Sequence, residues 1–160
     1  MLSIRAAEES DTALILSFIR ELAEYEREPS AAVATEEDLL RDGFGPQPRF
    51  HCLIADWDHT PAGFALFFYN YSTWEGRAGI YLEDLFVRPA FRKRGIGRAL
   101  FASLAQRAID EKLSRVAWQV LDWNQPAIDF YKSLGARPAA EWQTMRLSGD
   151  AIRALAATAS

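Results

Sequence analysis

The sequence predicts an α/β (α+β) fold, a single domain spanning residues 1–160, and three observations support this. Three strand-like apolar runs follow one another between residues 50 and 87 with short connections, as in an antiparallel meander. After residue 95 the apolar residues recur every four positions, which indicates a helix, and an alternating run returns at residues 114–120. No linker, repeat or change in composition interrupts the chain. We therefore expect a meander followed by a β-α-β-α-β half, giving a mixed, mostly antiparallel sheet with flanking helices.

The first two helices are predicted from their caps. Ser10 or Asp11 precedes a run of apolar residues at four-residue steps and is suited to cap a helix there. Thr35 and Asp38 have the spacing of a capping box for a second, shorter helix. We expect Gly43 to end that helix, because glycine readily adopts the left-handed conformation that commonly follows a helix.

The remaining elements are predicted from periodicity and from turn residues. Strands are expected where β-branched and aromatic residues cluster or alternate, at residues 2–7, 50–56, 62–69, 80–87, 114–120 and 140–147. A long helix is expected from Gly95 to Lys112. Another begins after Asn124, which can cap it, and Gly135 is suited to end it. Residues 150–158 are expected to form a tail helix.

Composition limits the classes of function. Hydrophobic residues make up 49% and charged residues 25% of the chain, and the formal net charge is −4. Neither a nucleic-acid surface nor an anionic membrane is an expected partner. Cys52 is the one cysteine, so no internal disulfide can form, and we expect a buried thiol. With no signal pattern and no apolar run near 18 residues, we expect a cytoplasmic protein.

Two adjacent acids occupy the middle of the predicted strand "IYLEDLFV". Burying a carboxylate is costly unless it is paired or its pKa rises, so Glu83 and Asp84 need an explanation. Successive strand residues face opposite sides of a sheet, so both acids share one site only if a bulge intervenes. Otherwise one of them forms a salt bridge on the far face.

The stretch "RKRGIG" follows that strand and precedes the long helix. Glycines there permit a tight turn, and the helix N-terminus offers free N–H groups, which together favour phosphate. The alternative is a plain turn carrying solvated charges. A Walker A loop is absent, and the dinucleotide fingerprint is incomplete because Leu100 replaces its third glycine.

The pattern R-x-x-G-x-G at this position resembles the coenzyme A pyrophosphate loop of the GNAT superfamily of N-acetyltransferases. The stretches "ELAEYE", "LLRDGFG", "FHCLIAD", "YSTWEGR", "YLEDLFV" and "VLDWNQPAIDFYKSLGA" narrow the resemblance to the diamine acetyltransferase family. That family includes spermidine/spermine and thialysine acetyltransferases. The resemblance implies a GNAT fold with a central β-α-β unit that binds acetyl-CoA, no metal, and a homodimer.

The resemblance also implies which residues bind acetyl-CoA. Backbone groups of the third meander strand hold the thioester and the pantetheine arm, the glycine loop holds the pyrophosphate, and the last helix contributes two side chains. The predicted set is Leu85, Phe86, Val87, Arg92, Lys93, Arg94, Gly95, Ile96, Gly97, Arg98, Asn124 and Tyr131. From the sequence alone, Asn124 is equally explained as a helix cap.

Chemistry and resemblance together suggest two catalytic residues. A lysine-like amine has a pKa of about 10.4, so only on the order of one in a thousand is neutral at pH 7, and a base must take its proton. Glu83, with apolar neighbours that should raise its pKa, fits this role, and in the family it acts through water. Tyr131 corresponds to the family's general acid, although its helical spacing also fits a core tyrosine.

Substrate contacts are implied for Tyr25, Glu26, Ser72, Trp74, Glu83 and Asp84. Tyr25 and Glu26 are expected to act across a dimer interface, and Trp74 could stack on an alkylammonium chain. Ser72 departs from the polyamine branch, which has an aspartate there, so we favour thialysine or a lysine-like amino acid. Polyamine acetylation, protein-lysine acetylation and a non-catalytic acyl-CoA-binding module stay open as alternatives.

Overall fold

The computed structural model of the protein describes residues 1–159, which form two compact units. The first unit comprises Met1–Trp123, and the second begins at Asn124. A single domain over residues 1–160 stays a prediction.

The first unit is built on a mixed five-stranded sheet. Its strands are β1 (Leu2–Ala6), β2 (His51–Trp57), β3 (Thr60–Ser72), β4 (Arg77–Val87) and β5 (Val116–Trp118), and its helices are α1 (Thr12–Tyr25), α2 (Glu36–Phe44) and α3 (Ile96–Asp110). The strands lie side by side in chain order. The first four are antiparallel neighbours, whereas β5 runs parallel to β4. Parallel neighbours need a crossover, which α3 supplies. The predicted mixed sheet and its β-α-β unit are confirmed.

The main core lies between one face of the sheet and helices α1 and α2. It contains Ile15, Leu16, Phe18, Leu22, Leu39, Cys52, Ile54, Phe64, Leu66 and Phe86. The rings of Phe18 and Phe64 stack with their centroids 5.1 Å apart. Fully burying one such side chain contributes roughly 1.5–3 kcal/mol, so this cluster fixes α1 on the sheet. Cys52 is buried as predicted, and burial raises the pKa of its thiol to about 12.

Helix α3 covers the opposite face. Leu66 and Phe67 are successive residues of β3 and therefore point to opposite sides. Leu66 joins the α1 core, whereas the Arg107 guanidinium of α3 lies 5.1 Å from the centroid of the Phe67 ring. Leu100 and Leu104 of α3 are fully buried. The β4–α3 connection thus lies at one end of a sheet that is packed on both faces.

Two details of the predicted helix ends need correction. Asp11 does precede α1, but its carboxylate bonds to Arg5 and to the Glu8 N–H and does not cap α1. The predicted end of α2 at Gly43 is wrong, because the helix continues to Phe44. A Cβ atom at Gly43 would lie 2.5 Å from the Cζ atom of Phe50, so close packing accounts for this glycine. The capping box of Thr35 and Asp38 is confirmed.

The second unit contains helices α4 (Gln125–Ser133) and α5 (Asp150–Ala156). Asn124 caps α4 by accepting a hydrogen bond from the Ala127 N–H at 3.4 Å, and Gly135 follows the helix with φ of 93°, both as predicted. The predicted strand at residues 140–147 is wrong. Alternation alone does not make a strand, which needs a ladder partner. Trp142 and Met145 in this segment are exposed. No helix between residues 1 and 159 is long and apolar enough to cross a membrane.

Candidate active site

A β-bulge interrupts β4 at Glu83. Leu66 of β3 is paired with Asp84, and the next residue, Phe67, is paired with Leu82, so Glu83 is an extra residue in β4. A bulge of this kind breaks the alternation of side chains and increases the local twist. The two acids are therefore not forced onto opposite faces of the sheet.

Three carboxylates interact at the bulge, and we call Glu26, Glu83 and Asp84 the carboxylate cluster. Burial and repulsion by Glu83 raise the pKa of Glu26. Burial, together with repulsion by Glu83 and Glu26, raises the pKa of Asp84 from an ordinary value near 3.8 to about 7. Each acid is thus close enough to another to oppose its ionisation, as expected for groups sharing one site.

The pKa of Asp84 is raised mainly by its burial. Glu83 is exposed, whereas Asp84 is partly buried and paired with Leu66, which belongs to the main core. Apolar surroundings disfavour the charged carboxylate, so the pKa of Asp84 rises. Among residues 1–159, no cation lies within ion-pair distance of Asp84, so the alternative of a salt bridge on the far face is not observed.

Beyond the bulge, β4 is no longer paired with β5. β5 is paired with β4 only at Ile80, Tyr81 and Leu82. Residues 83–87, which include the predicted cofactor-binding positions Leu85, Phe86 and Val87, continue past this pairing. Their backbone groups on the β5 side are consequently not used by β5. Unpaired strand groups are suited to bind an extended ligand.

The glycine loop leads directly into α3. Gly95 has φ of 77°, a left-handed conformation that favours glycine, and Ile96 begins the helix. No side chain caps this N-terminus, and the first N–H groups of a helix lack acceptors within the helix. Four exposed cations surround the turn, namely Arg92, Lys93, Arg94 and Arg98. Free N–H groups, the helix dipole and positive charge together suit a phosphate.

Arg92 also links this loop to α1. Its Nε atom donates to the Val87 carbonyl at 3.0 Å, and its guanidinium lies 5.2 Å from the centroid of the Tyr25 ring. Tyr25 in turn lies 6.4 Å, centroid to centroid, from Trp123. The C-terminus of α1, which carries Tyr25 and Glu26, is therefore next to the end of β4. This brings two predicted substrate residues to the carboxylate cluster within one copy of the chain.

Sequence reasoning missed two residues at this end of α1. Arg27 lies over Trp123, with 3.9 Å between its Cζ atom and the ring centroid. Trp123 lies in the stretch "VLDWNQPAIDFYKSLGA" and Arg27 follows "ELAEYE", but neither is among the predicted site residues. An aromatic side chain directly before the predicted cofactor-binding residue Asn124 was the signal that could have identified Trp123.

Ser72 and Trp74 lie elsewhere in the same unit. Ser72 is buried, and its hydroxyl accepts a hydrogen bond from the Glu75 N–H at 3.3 Å, so it stabilises the β3–β4 turn. Trp74 is 88% exposed in that turn. Glu83 follows Arg77 by six positions along the strand, which corresponds to about 20 Å. Within one copy, these residues are not part of the carboxylate cluster, and their roles in substrate binding stay predictions.

The two remaining predicted residues lie in the second unit. Asn124 caps α4, and Tyr131 is in the last turn of that helix, with its ring centroid 5.7 Å from that of Phe130. Their contacts with cofactor stay predictions. Between residues 1 and 159, no group of three or more His, Cys, Asp or Glu side chains is arranged to hold a metal ion.

The chain was compared with known proteins. Residues 15–136 match the Acetyltransferase (GNAT) family. The chain is 44% identical over 164 residues to a thialysine N-epsilon-acetyltransferase of Sus scrofa, with 96% of each protein covered. It is 40% identical over 140 residues to the human spermidine/spermine N(1)-acetyltransferase-like protein 1, covering 83% of this chain and 20% of that protein. A solved integron cassette protein of V. cholerae superposes with a TM-score of 0.82 at 27% identity, with 97% of each chain covered.

Proposed function

Since this chain belongs to the acetyltransferase (GNAT) family and is an N-acetyltransferase, we propose that its acceptor is the side-chain amine of thialysine or a lysine-like amino acid. Acetyl-CoA, which the family uses, is the donor. The acetyltransferases of Sus scrofa and Bos taurus, 44% and 43% identical to this chain, are named for thialysine. This supports a single amino acid amine over a polyamine as first choice.

The observation that carries the proposal is the bulge at Glu83, which allows the carboxylate cluster to form. A cationic amine supplies the positive charge that these acids lack among themselves. Opposite charge also lowers the pKa of a carboxylate, so amine binding and carboxylate ionisation favour each other. An acidic site of this kind selects a cation before any chemistry takes place.

The carboxylate cluster can also remove the proton that blocks attack. An ammonium group has no lone pair, so it must lose a proton before its nitrogen can bond to the acyl carbon. We propose that Glu83, exposed and next to the substrate, accepts this proton through water. Asp84, with a pKa of about 7, gains and loses a proton near neutral pH, so it shares the negative charge of the carboxylate cluster with Glu83. As the new C–N bond forms, the C–S bond breaks, and Tyr131 is proposed to protonate the leaving thiolate.

Acetyl-CoA is proposed to bind along the end of β4 and at the start of α3. Lys93, Arg94 and Arg98 would neutralise phosphate charge, and the N–H groups at the start of α3 would donate to its oxygens. The backbone of residues 85–87, on the side that β5 does not pair, would hold the extended arm. This assignment fits the residues present, because an uncapped helix N-terminus and several exposed cations are what a pyrophosphate needs.

Polyamine acetylation is the second candidate, supported by the similarity to the human spermidine/spermine acetyltransferase-like protein. Ser72 argues against it, because a buried hydroxyl held in a turn offers no charge to a distal ammonium. On the family resemblance, we also propose a homodimer in the cytoplasm.

The test is a panel of amines with acetyl-CoA, monitored through the free thiol that each transfer releases. The panel should contain thialysine, lysine, ornithine, spermidine and spermine, ranked by kcat/KM. We expect thialysine or another amino acid to rank first. If kcat/KM for spermidine is far higher than for thialysine, polyamine acetylation replaces thialysine acetylation as the proposed function. Coenzyme A binding without turnover of any amine would contradict catalysis and favour a binding module.

A further inference from the structure

We propose that Arg27 recognises the α-carboxylate of the acceptor and so selects an amino acid over a polyamine. This inference rests on the proposed function of the same site. It assigns a specificity-determining role to a residue at the C-terminus of α1, one position after Glu26 of the carboxylate cluster.

The guanidinium of Arg27 is held in place and its hydrogen-bond donors remain available. Its Cζ atom lies over the Trp123 ring, 3.9 Å from the ring centroid, a separation at which a guanidinium stacks on an aromatic face. The donors lie in the plane of the group and point away from a stacked ring. Arg27 is exposed, and no carboxylate among residues 1–159 is within ion-pair distance of it. A planar fork of this kind binds a carboxylate with two parallel hydrogen bonds.

The backbone at Arg27 favours glycine. Arg27 has φ of 65° and follows the C-cap of α1, where its N–H donates to the Glu24 carbonyl and the N–H of Glu28 donates to the Ala23 carbonyl. This is a Schellman motif, in which glycine is the usual residue. Helix α4 ends in the same motif with Gly135. A non-glycine residue in this conformation costs roughly 1–2 kcal/mol, so the fold alone would be better served by glycine at position 27.

A general benefit of positive charge at a helix C-terminus does not explain the arginine by itself. Helix α3 is also followed by a cationic residue in the left-handed backbone conformation, Lys112. Its ammonium complements the helix dipole as well as the guanidinium of Arg27 does. What distinguishes Arg27 is the stacked fork beside Trp123 and its neighbour Glu26, whose carboxylate is coupled to Glu83. Lys112 therefore offers a matched control for the backbone and dipole effects.

The two residues that directly follow α1 thus carry opposite charges. Glu26 contributes to the negative site that suits an ammonium, and Arg27 offers a positive fork. A lysine-like amino acid carries its side-chain ammonium on a short alkyl stem, with the carboxylate at the other end. Such an acceptor meets a complementary charge at each end. A polyamine would bring a second ammonium toward the guanidinium without the adjacent carboxylate that accompanies the α-ammonium of an amino acid, so repulsion would act with no compensating attraction.

The test compares thialysine with bis(2-aminoethyl) sulfide, the diamine left when the carboxylate is removed. Both are assayed with saturating acetyl-CoA by thiol release. In Arg27→Gly, we expect the ratio of kcat/KM for thialysine to kcat/KM for the diamine to fall about 10- to 100-fold, as for loss of hydrogen bonds to a charged group. The change should lie mostly in KM for thialysine. Arg27→Lys keeps the charge but loses the planar fork. Its ratio of the two kcat/KM values should lie between those of wild type and Arg27→Gly.

Lys112→Gly makes the same backbone change at the other cationic helix end and should leave the ratio unchanged. An unchanged ratio in Arg27→Gly, with thialysine still acetylated, would overturn the role of Arg27 and leave the proposed function intact. Equal losses on both acceptors would likewise overturn it, by indicating a role in folding or cofactor binding. If wild-type enzyme acetylates neither compound, the proposed function itself is contradicted.

Discussion

The ionisation of Asp84 gives the sharpest prediction, because replacing this acid should stabilise the protein. Its pKa is about 7 in the folded state against about 3.8 ordinarily, so folding opposes its ionisation. A difference of about three pH units is worth about 4 kcal/mol. Asp84→Asn has nearly the same shape and carries no charge, so it removes this penalty.

The pH dependence has a definite sign. Well below pH 3.8, Asp84 is protonated in both states and the penalty is absent. As pH rises from 4 toward 7, the unfolded chain ionises first, and the folded wild type progressively loses stability relative to Asp84→Asn. Above pH 7 both states are ionised and the difference is constant. We therefore expect Asp84→Asn to be more stable than wild type by up to about 4 kcal/mol at pH 8, and by less than about 1 kcal/mol at pH 4.

Urea unfolding at a series of pH values measures this difference directly. Glu75→Gln, which replaces an exposed acid in the β3–β4 turn, is the control and should show little dependence on pH relative to wild type. A difference that does not vary between pH 4 and pH 8, or an Asp84→Asn protein less stable than wild type at pH 8, would refute a buried, mutually repelled carboxylate at this position.

Three further predictions concern catalysis and cofactor binding. Glu83→Gln should lower kcat/KM for the amine by about 10²- to 10⁴-fold near pH 7. The loss should be smaller at high pH, because more of the amine is already neutral there. A loss that does not depend on pH would contradict the role of Glu83 as base. Tyr131→Phe should cut turnover strongly and leave the affinity for coenzyme A, measured by calorimetry, nearly intact. Unchanged turnover would remove Tyr131 from the mechanism. Gly95→Ala introduces a side chain at φ of 77° before α3 and should weaken coenzyme A binding about tenfold. The control Gly76→Ala, at φ of 66° in the β3–β4 turn, should leave coenzyme A binding unchanged. Equal coenzyme A affinities in the two variants would contradict the assignment of the loop.

Local patterns predicted much of the fold and only part of the site. The meander, the long helix after Gly95 and the cap at Asn124 depend on neighbours in the chain, and each is confirmed. The strand at residues 140–147 was wrong because pairing needs a partner that alternation does not guarantee. Likewise, Gly43 was expected to end a helix, but the nearby Phe50 ring explains the glycine.

The distribution of charge in the site was harder to predict, because it also depends on which residues come together after folding. The sequence showed two adjacent acids but not the extra residue in β4, since register depends on the pairing with β3. The raised pKa of Asp84 also depends on burial, which the sequence of the strand alone does not show. Arg27 and Trp123 come together only after folding, because their 96-residue separation carries no local signal.

The central claim is that the carboxylate cluster at the bulge receives the cationic amine. An NMR titration of the Asp84 carboxyl carbon, with and without saturating amine, tests this most directly. In the free protein we predict a pKa of about 7. Bound thialysine should lower that pKa clearly, because an ammonium beside the cluster stabilises the carboxylate. An Asp84 pKa that is the same with and without saturating thialysine would contradict the claim that the amine binds here.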